Sequence, residues 1–239
     1  MELNPAIRKE LIREISGSLN PKARFAGKLK VAAWEATIRF SYILKRFLDL
    51  TVAIAAMVAL SPVLVVTALC VWVEDPGPVF YFQTRVGRNG RHFKFYKFRS
   101  MKVNADKIKK DLLSQNESSA GVIFKMKKDP RITKVGRFIR KFSIDELPQL
   151  LNVLIGDMSL VGPRPPLPNE VEKYSLEERK RLHVIPGMTC LWQVSGRSDI
   201  PFTEQVMLDM KYIQSASFIN DIILLLKTVP AVLTGKGAY

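Results

Sequence analysis

Residues 50–73, LTVAIAAMVALSPVLVVTALCVWV, run for 24 positions without a charged side chain. As a helix that run measures about 36 Å, enough to cross a hydrocarbon core. Two features complicate a plain span. Ser61-Pro62 falls near its midpoint, where proline removes a backbone donor and disfavours helical geometry at the residue before it. The flanks also carry like charge: Lys45 and Arg46 precede the run, and residues 76–142 hold 18 Lys and Arg against four Asp and Glu. A spanning helix would leave basic segments on both sides, against the positive-inside tendency. Two geometries fit, a spanning helix kinked at proline and a helix-break-helix that enters and leaves on one face. A cleavable leader is not expected, because more than 45 residues come first.

The charge locates the chemistry. The 239-residue chain carries 37 basic and 22 acidic side chains, a net +15, and residues 143–239 are slightly acidic. The excess therefore belongs to the middle section and points to an anionic partner: nucleic acid, a phosphorylated substrate or acidic lipid. With 47% apolar residues the chain is able to build a core. Cys70 and Cys190 sit in apolar surroundings and read as buried, reduced thiols in a cytosol-facing protein.

Before the apolar run come a short charged helix pattern, RKELIREI, and then GKLKVAAWEATIRFSYILKRFLDL. In the latter Trp34, Phe40 and Tyr42 mix with Lys and Arg, as in a helix lying on a membrane surface or in a solvated linker helix. After it, PVFYFQTRVGRNGRHFKFYKFRSM reads as two short strands around the turn Arg88-Asn89-Gly90. Helices are expected after Asp145, after Ser175 and across 201–214. SFINDIILLLKTVPAVL, with Asp221 and Lys227 its only charges, suits a buried helix or a second interfacial one. The whole reads as an α+β protein: a small, mostly helical domain with a short β-hairpin over 76–239, a membrane segment at 45–75 and amphipathic helices at 1–44.

SIDELPQLLNVLIGDMSLVGPRP, residues 143–165, sets Asp145 beside Glu146 ahead of an apolar run. Ser143 and Glu146 have capping-box spacing, a purely structural duty. Pro148 fits that start poorly, and a helix beginning at Asp145 places it within the first turn. Either start puts both acids at a helix N-terminus, where amides and dipole favour the ionised form. Carboxylates of that kind ligate Mg²⁺ or attack phosphorus. Cations suited to phosphate lie close in sequence: Lys97, Arg99, Arg137, Arg140, Lys141 and Arg164, the last fixed between Pro163 and Pro165.

Together with KRFLDL, DPRITKVGRFIRKFSIDELPQLLNVLIGDMSLVGPRP, RLHVIPGMTCLWQVSGR and LDMKYI, these stretches resemble the bacterial sugar transferases. Those are monotopic polyprenyl-phosphate phosphoglycosyltransferases that start exopolysaccharide and O-antigen assembly, and the resemblance covers residues 42–234. It implies a hexose-1-phosphate transfer, with glucose or galactose as the best guess, from a UDP-sugar to undecaprenyl phosphate. Asp145 would be the nucleophile and Glu146 would hold Mg²⁺ with it, giving a sugar-phosphoryl-aspartate and releasing UMP. Lys97, Arg99, Arg140 and Arg164 would line the phosphate site. Arg197 would lie near the nucleotide or sugar, and Asp209 would be a further polar site residue. Ser61-Pro62 would be the break of a re-entrant membrane helix, with interfacial helices beside it. Expected surroundings are membrane lipid on the cytoplasmic face of a bacterial inner membrane, downstream glycosyltransferases and a homodimer.

Other readings explain less. A non-catalytic basic adaptor on acidic lipid would use the same anchor but leaves the paired acids without a purpose. Nucleic acid is not expected as a partner, although HFKFYKFR interleaves aromatic and basic residues. Gly87 and Gly90 match a turn rather than a nucleotide fingerprint, and His92 and His183 lack metal-ligand spacing.

Overall fold

The computed structural model describes residues 21–105, 129–235 and 237. The expected RKELIREI helix lies outside the described residues. The chain divides into two compact units, residues 1–47 and 48–239. Helix α1, Pro21–Ala59, continues from the first into the second. On its N-terminal part Phe25, Trp34 and Phe40 are exposed.

α1 stops at Leu60, and α2, Ser61–Glu74, leaves at 61° to it. The expected break is present, and its chemistry is local. Pro62 has no N–H to offer the carbonyl four residues back, that of Val58, and Ser61 Oγ donates to that carbonyl instead at 2.8 Å. Among the described residues no single helix is long and apolar enough to cross a membrane, whereas this bent pair passes that test together. α2 buries Thr67 and Val71 and exposes Val65, Val66, Leu69, Trp72 and Val73 on other faces. Cys70 is exposed there too, against the expectation of burial, because it lies on a face of α2 that no element among the described residues covers; Cys190 is buried as expected, and both thiols are free.

Beyond α2, strands β1, Phe80–Val86, and β2, His92–Phe98, pair antiparallel with Phe80 opposite Phe98 and Val86 opposite His92. Asn89 and Gly90 take positive φ, +56° and +79°, at the turn the sequence marked. Then follow α3, Lys134–Lys141, a 3-10 segment over Ile144–Gln149, and α4, Leu150–Ile155. Asn152 on α4, fully buried, clamps β2: its Nδ2 donates to the Lys94 carbonyl at 2.7 Å and its Oδ1 accepts the Tyr96 N–H at 3.1 Å. That exchange replaces a missing third strand along β2.

A second sheet was not anticipated. β3, Ser159–Val161, and β4, Gly187–Thr189, pair parallel, too short to show a periodic pattern. The two backbones touch at glycines: a Cβ on Gly187 would lie 2.0 Å from Gly162 N, and one on Gly162 would lie 2.7 Å from the Ile185 carbonyl oxygen. Short helices α5, Pro168–Val171, and α6, Leu176–Arg179, lie between the strands, α6 starting at a Ser175/Glu178 capping box. α7, Leu191–Ser195, α8, Phe202–Ser215, and α9, Phe218–Thr234, complete the chain. Phe95, Val153, Met158, Val161, Tyr212 and Leu224 form the heart of the core. Tyr212 ties α8 to both neighbours, donating within 2.8 Å of Asp221 Oδ1 and 3.1 Å of the Val161 carbonyl. α9 leaves Ile219, Ile223, Leu226, Val229 and Leu233 exposed at helical spacing.

Candidate active site

The two acids sit on the 3-10 segment, but not through a capping box. Ser143 takes a left-handed backbone at φ +53°, and its hydroxyl caps nothing; it accepts from Arg197 Nη2 instead. This overturns the structural duty that the spacing suggested. Pro148 contributes to the outcome, since it has no N–H to give a regular α-helical ladder there, and the full α-helix begins only at Leu150.

β2 supplies the opposing charge. Lys97 Nζ lies 2.6 Å from Glu146 Oε1 and 3.7 Å from Asp145 Oδ2, while Arg164 Nη1 reaches the same Glu146 oxygen at 3.2 Å. Burial alone would raise the Glu146 carboxyl, yet the Lys97 and Arg164 charges overcome it and hold the group well below the usual carboxylate range. Asp145 goes the other way. Burial pushes its carboxyl up by more than Lys97 draws it down, and the neighbouring Glu146 charge adds to the rise. Glu146 is thus held ionised by Lys97 and Arg164 rather than by the segment's N-terminus, and Asp145 departs from the expectation that its ionised form would be favoured.

Arg140, on the last turn of α3, acts electrostatically on Asp145, and Arg197 feels both acids. Arg197 also donates to the Lys141 carbonyl at 3.4 Å. Burial would lower the Arg164 guanidinium, but Glu146 raises it and keeps it charged. Lys97 and Arg164 contact the acids, and Arg140 and Arg197 act on them electrostatically, whereas the sequence reading had Arg197 near the nucleotide or sugar. Two further residues of that reading have other partners. Arg99 pairs with Asp75 at the end of α2, Nη2 to Oδ2 at 3.7 Å, and also bonds the Asp75 carbonyl. Asp209 is fully buried on α8 with Arg181 Nη2 at 2.6 Å; burial pushes its carboxyl up to about 6 despite that partner.

Arg85 was missed. It is 8% exposed on β1, donates from Nη1 to the Pro165 carbonyl at 3.0 Å and from Nη2 to Gln83 Oε1 at 2.8 Å, and stacks 5.2 Å from the Phe95 ring centroid. Burial, then the charge of Arg164, lowers its guanidinium to about 10. Only the two-residue alternation of FQTRV could have marked it as inward-facing.

The donor set suits a divalent cation that is completed by substrate. Among the described residues no cluster of three or more acidic, His or Cys side chains could enclose a metal. Mg²⁺, however, commonly takes one or two carboxylates and fills its remaining positions with phosphate oxygens and water. Lys97 already presents an ammonium to both carboxylates.

Residues 40–235 match the family model described as bacterial sugar transferase. The chain is 52% identical over 202 residues to the galactosyl transferase CpsE of Streptococcus agalactiae, covering 84% of this chain and 44% of that protein. It is 47% identical over 204 residues to an undecaprenyl-phosphate galactose phosphotransferase of Salmonella typhimurium, covering 84% and 43%. To the exopolysaccharide production protein ExoY of Sinorhizobium fredii it is 41% identical over 198 residues, covering 82% and 88%. The chain belongs to the bacterial sugar transferase family. It spans under half the length of the first two relatives and most of the third.

Proposed function

We propose that the protein is a phosphoglycosyltransferase that moves a hexose-1-phosphate from a UDP-sugar to undecaprenyl phosphate. The observation that carries this reading is the pair of buried Asp145 and half-buried Glu146 facing Lys97 and Arg164. An Asp145 oxygen attacks the β-phosphorus of the donor, forming an aspartyl-phosphosugar while the bond to the UMP oxygen breaks and UMP leaves with its electron pair. A phosphate oxygen of the lipid then attacks the same phosphorus and releases Asp145. Each half exchanges one activated phosphoryl bond for another, so positioning and charge neutralisation do most of the work. Lys97 and Arg164 hold Glu146 ionised, Arg140 attracts Asp145 toward its attacking, ionised form, and Arg197 covers the edge near Ser143. Asp145 and Glu146 would hold Mg²⁺, which supplies charge neutralisation for the diphosphate.

The donor sugar is glucose or galactose, and two relatives with galactose in their names favour the latter. The bent α1–α2 pair and the apolar stripe of α9 fit a re-entrant anchor and an interfacial helix on the cytoplasmic face of the bacterial inner membrane, with lipid and downstream glycosyltransferases as partners. Detergent-extracted protein is incubated with radiolabelled UDP-sugars, undecaprenyl phosphate and Mg²⁺, with Asp145→Asn in parallel. UMP release with one sugar, and label trapped on the protein when lipid is omitted, is the expected result. Turnover that survives in Asp145→Asn overturns the covalent scheme.

A further inference from the structure

We propose that Arg85 is a positioning residue that holds the Arg164 loop, so that the Arg164 guanidinium stands against Glu146 and the phosphoryl group. The inference rests on the reading of Arg164 as a phosphate ligand. Arg164 is followed by Pro165 and Pro166, neither of which has a backbone N–H. This part of the loop can be pinned only through its carbonyl oxygens, and β1 takes both: Arg85 Nη1 donates to Pro165 at 3.0 Å and Val86 N donates to Pro166 at 2.9 Å.

A neutral donor would satisfy the Pro165 carbonyl at lower cost. Arg85 instead brings a full charge into a buried place, and among the described residues no carboxylate lies within ion-pair distance of it. Its in-plane partners are a carbonyl and the neutral Gln83 amide, and its Nε has no acceptor. An unpaired buried charge is expensive. The charge of Arg164 acts against it, and those of Glu170 and Glu146 act for it from beyond ion-pair distance. From the loop pinned in this way Arg164 Nη1 reaches Glu146 Oε1 at 3.2 Å. Phe95 extends the arrangement, since Arg85 and Lys97 both stand over its ring, at 5.2 and 5.5 Å. The two cations that bind Glu146 are thus each braced from the same β1–β2 hairpin.

The test is a double-mutant cycle in nanodiscs. Arg85→Gln and Arg85→Lys are made alone and with Arg164→Lys, and UMP release is followed against UDP-sugar concentration. Arg85→Gln is expected to lower kcat about 10- to 100-fold with KM changed less than about threefold. Arg85→Lys, which keeps the charge, recovers at least about threefold of that loss. In the Arg164→Lys background Arg85→Gln costs less than about threefold more, because it acts through Arg164. Losses that multiply in full, a Gln variant as poor as Lys, or activity that falls only in step with thermal stability overturn the proposal. If the wild type releases no UMP from any donor, the proposed function fails instead. Hydrogen exchange then decides on Arg85: faster exchange at the Gly162, Arg164 and Leu167 amides in Arg85→Gln supports it, and unchanged exchange refutes it.

Discussion

Ser159 Oγ donates to Asp49 Oδ1 at 3.0 Å, joining residues 110 apart in the chain. The same carboxylate oxygen accepts the Leu160 N–H at 2.9 Å. Asp49 is buried one residue before the long apolar run begins, and β3 leads directly into the Gly162-Pro163-Arg164 turn. Helix α1 and the loop that carries Arg164 are therefore fastened to one another.

Asp49→Ala leaves the buried Leu160 amide without its acceptor and the Ser159 hydroxyl with the Val161 carbonyl alone, which costs about 2–4 kcal/mol. Asp49→Asn keeps an acceptor oxygen and recovers part of it. Urea unfolding of the two variants in detergent measures the difference, and equal midpoints for Ala and wild type would contradict it.

Lys97→Met removes the closest cation from Glu146 and one of the attractions on Asp145. Turnover is expected to fall about 100-fold or more, whereas Arg137→Ala, on the exposed face of α3, changes it less than about twofold. Initial rates of UMP release compare the two, and similar losses would mean that the acids do not depend on Lys97.

Asp209 gives a pH signature. Its folded value of about 6 lies above the ordinary 3.8 because burial outweighs Arg181, so the folded protein keeps a proton that the unfolded chain has released. That contribution is complete below about pH 4 and is lost as pH rises through about 6, a change of about 3 kcal/mol. Stability of wild type relative to Asp209→Asn should decline over that window. Parallel curves would show that Asp209 does not titrate there.

Cysteine labelling reads the bend at Leu60. Single cysteines at Lys45 and at Pro78 should react with a membrane-impermeant maleimide from the same side of sealed vesicles. With Ser61→Ala and Pro62→Ala together, the Val58 carbonyl regains a backbone donor, the helix straightens, and the two sites are expected to separate to opposite faces. Opposite-side labelling of the parent protein would instead support a kinked span.

Much of this was readable in the residues, for physical reasons. The hairpin announced itself because Asn89-Gly90 needs positive φ, and the break did so because proline lacks a donor at a place where serine can compensate. The acid pair stood out because negative charge is scarce in a basic stretch. Ser143 misled because a capping box is defined by spacing alone, and Pro148 with the Arg197 contact decided otherwise. Arg99 looked equivalent to Lys97, two residues away on β2's line, and only the third dimension gave it to Asp75. The β3–β4 pair was hidden because three-residue strands leave no period to detect, and Arg85 because a charged side chain in a basic hairpin reads as solvent-facing unless the strand's alternation is followed.

The contact between Gly162 and Gly187 has a consequence for anyone who diversifies this chain. Since a single added methyl at either position collides with main-chain atoms that have nowhere to retreat, a saturation library should return almost no survivors there. New side-chain diversity will have to come from positions away from this seam, which stays as an invariant frame around which new variants are selected.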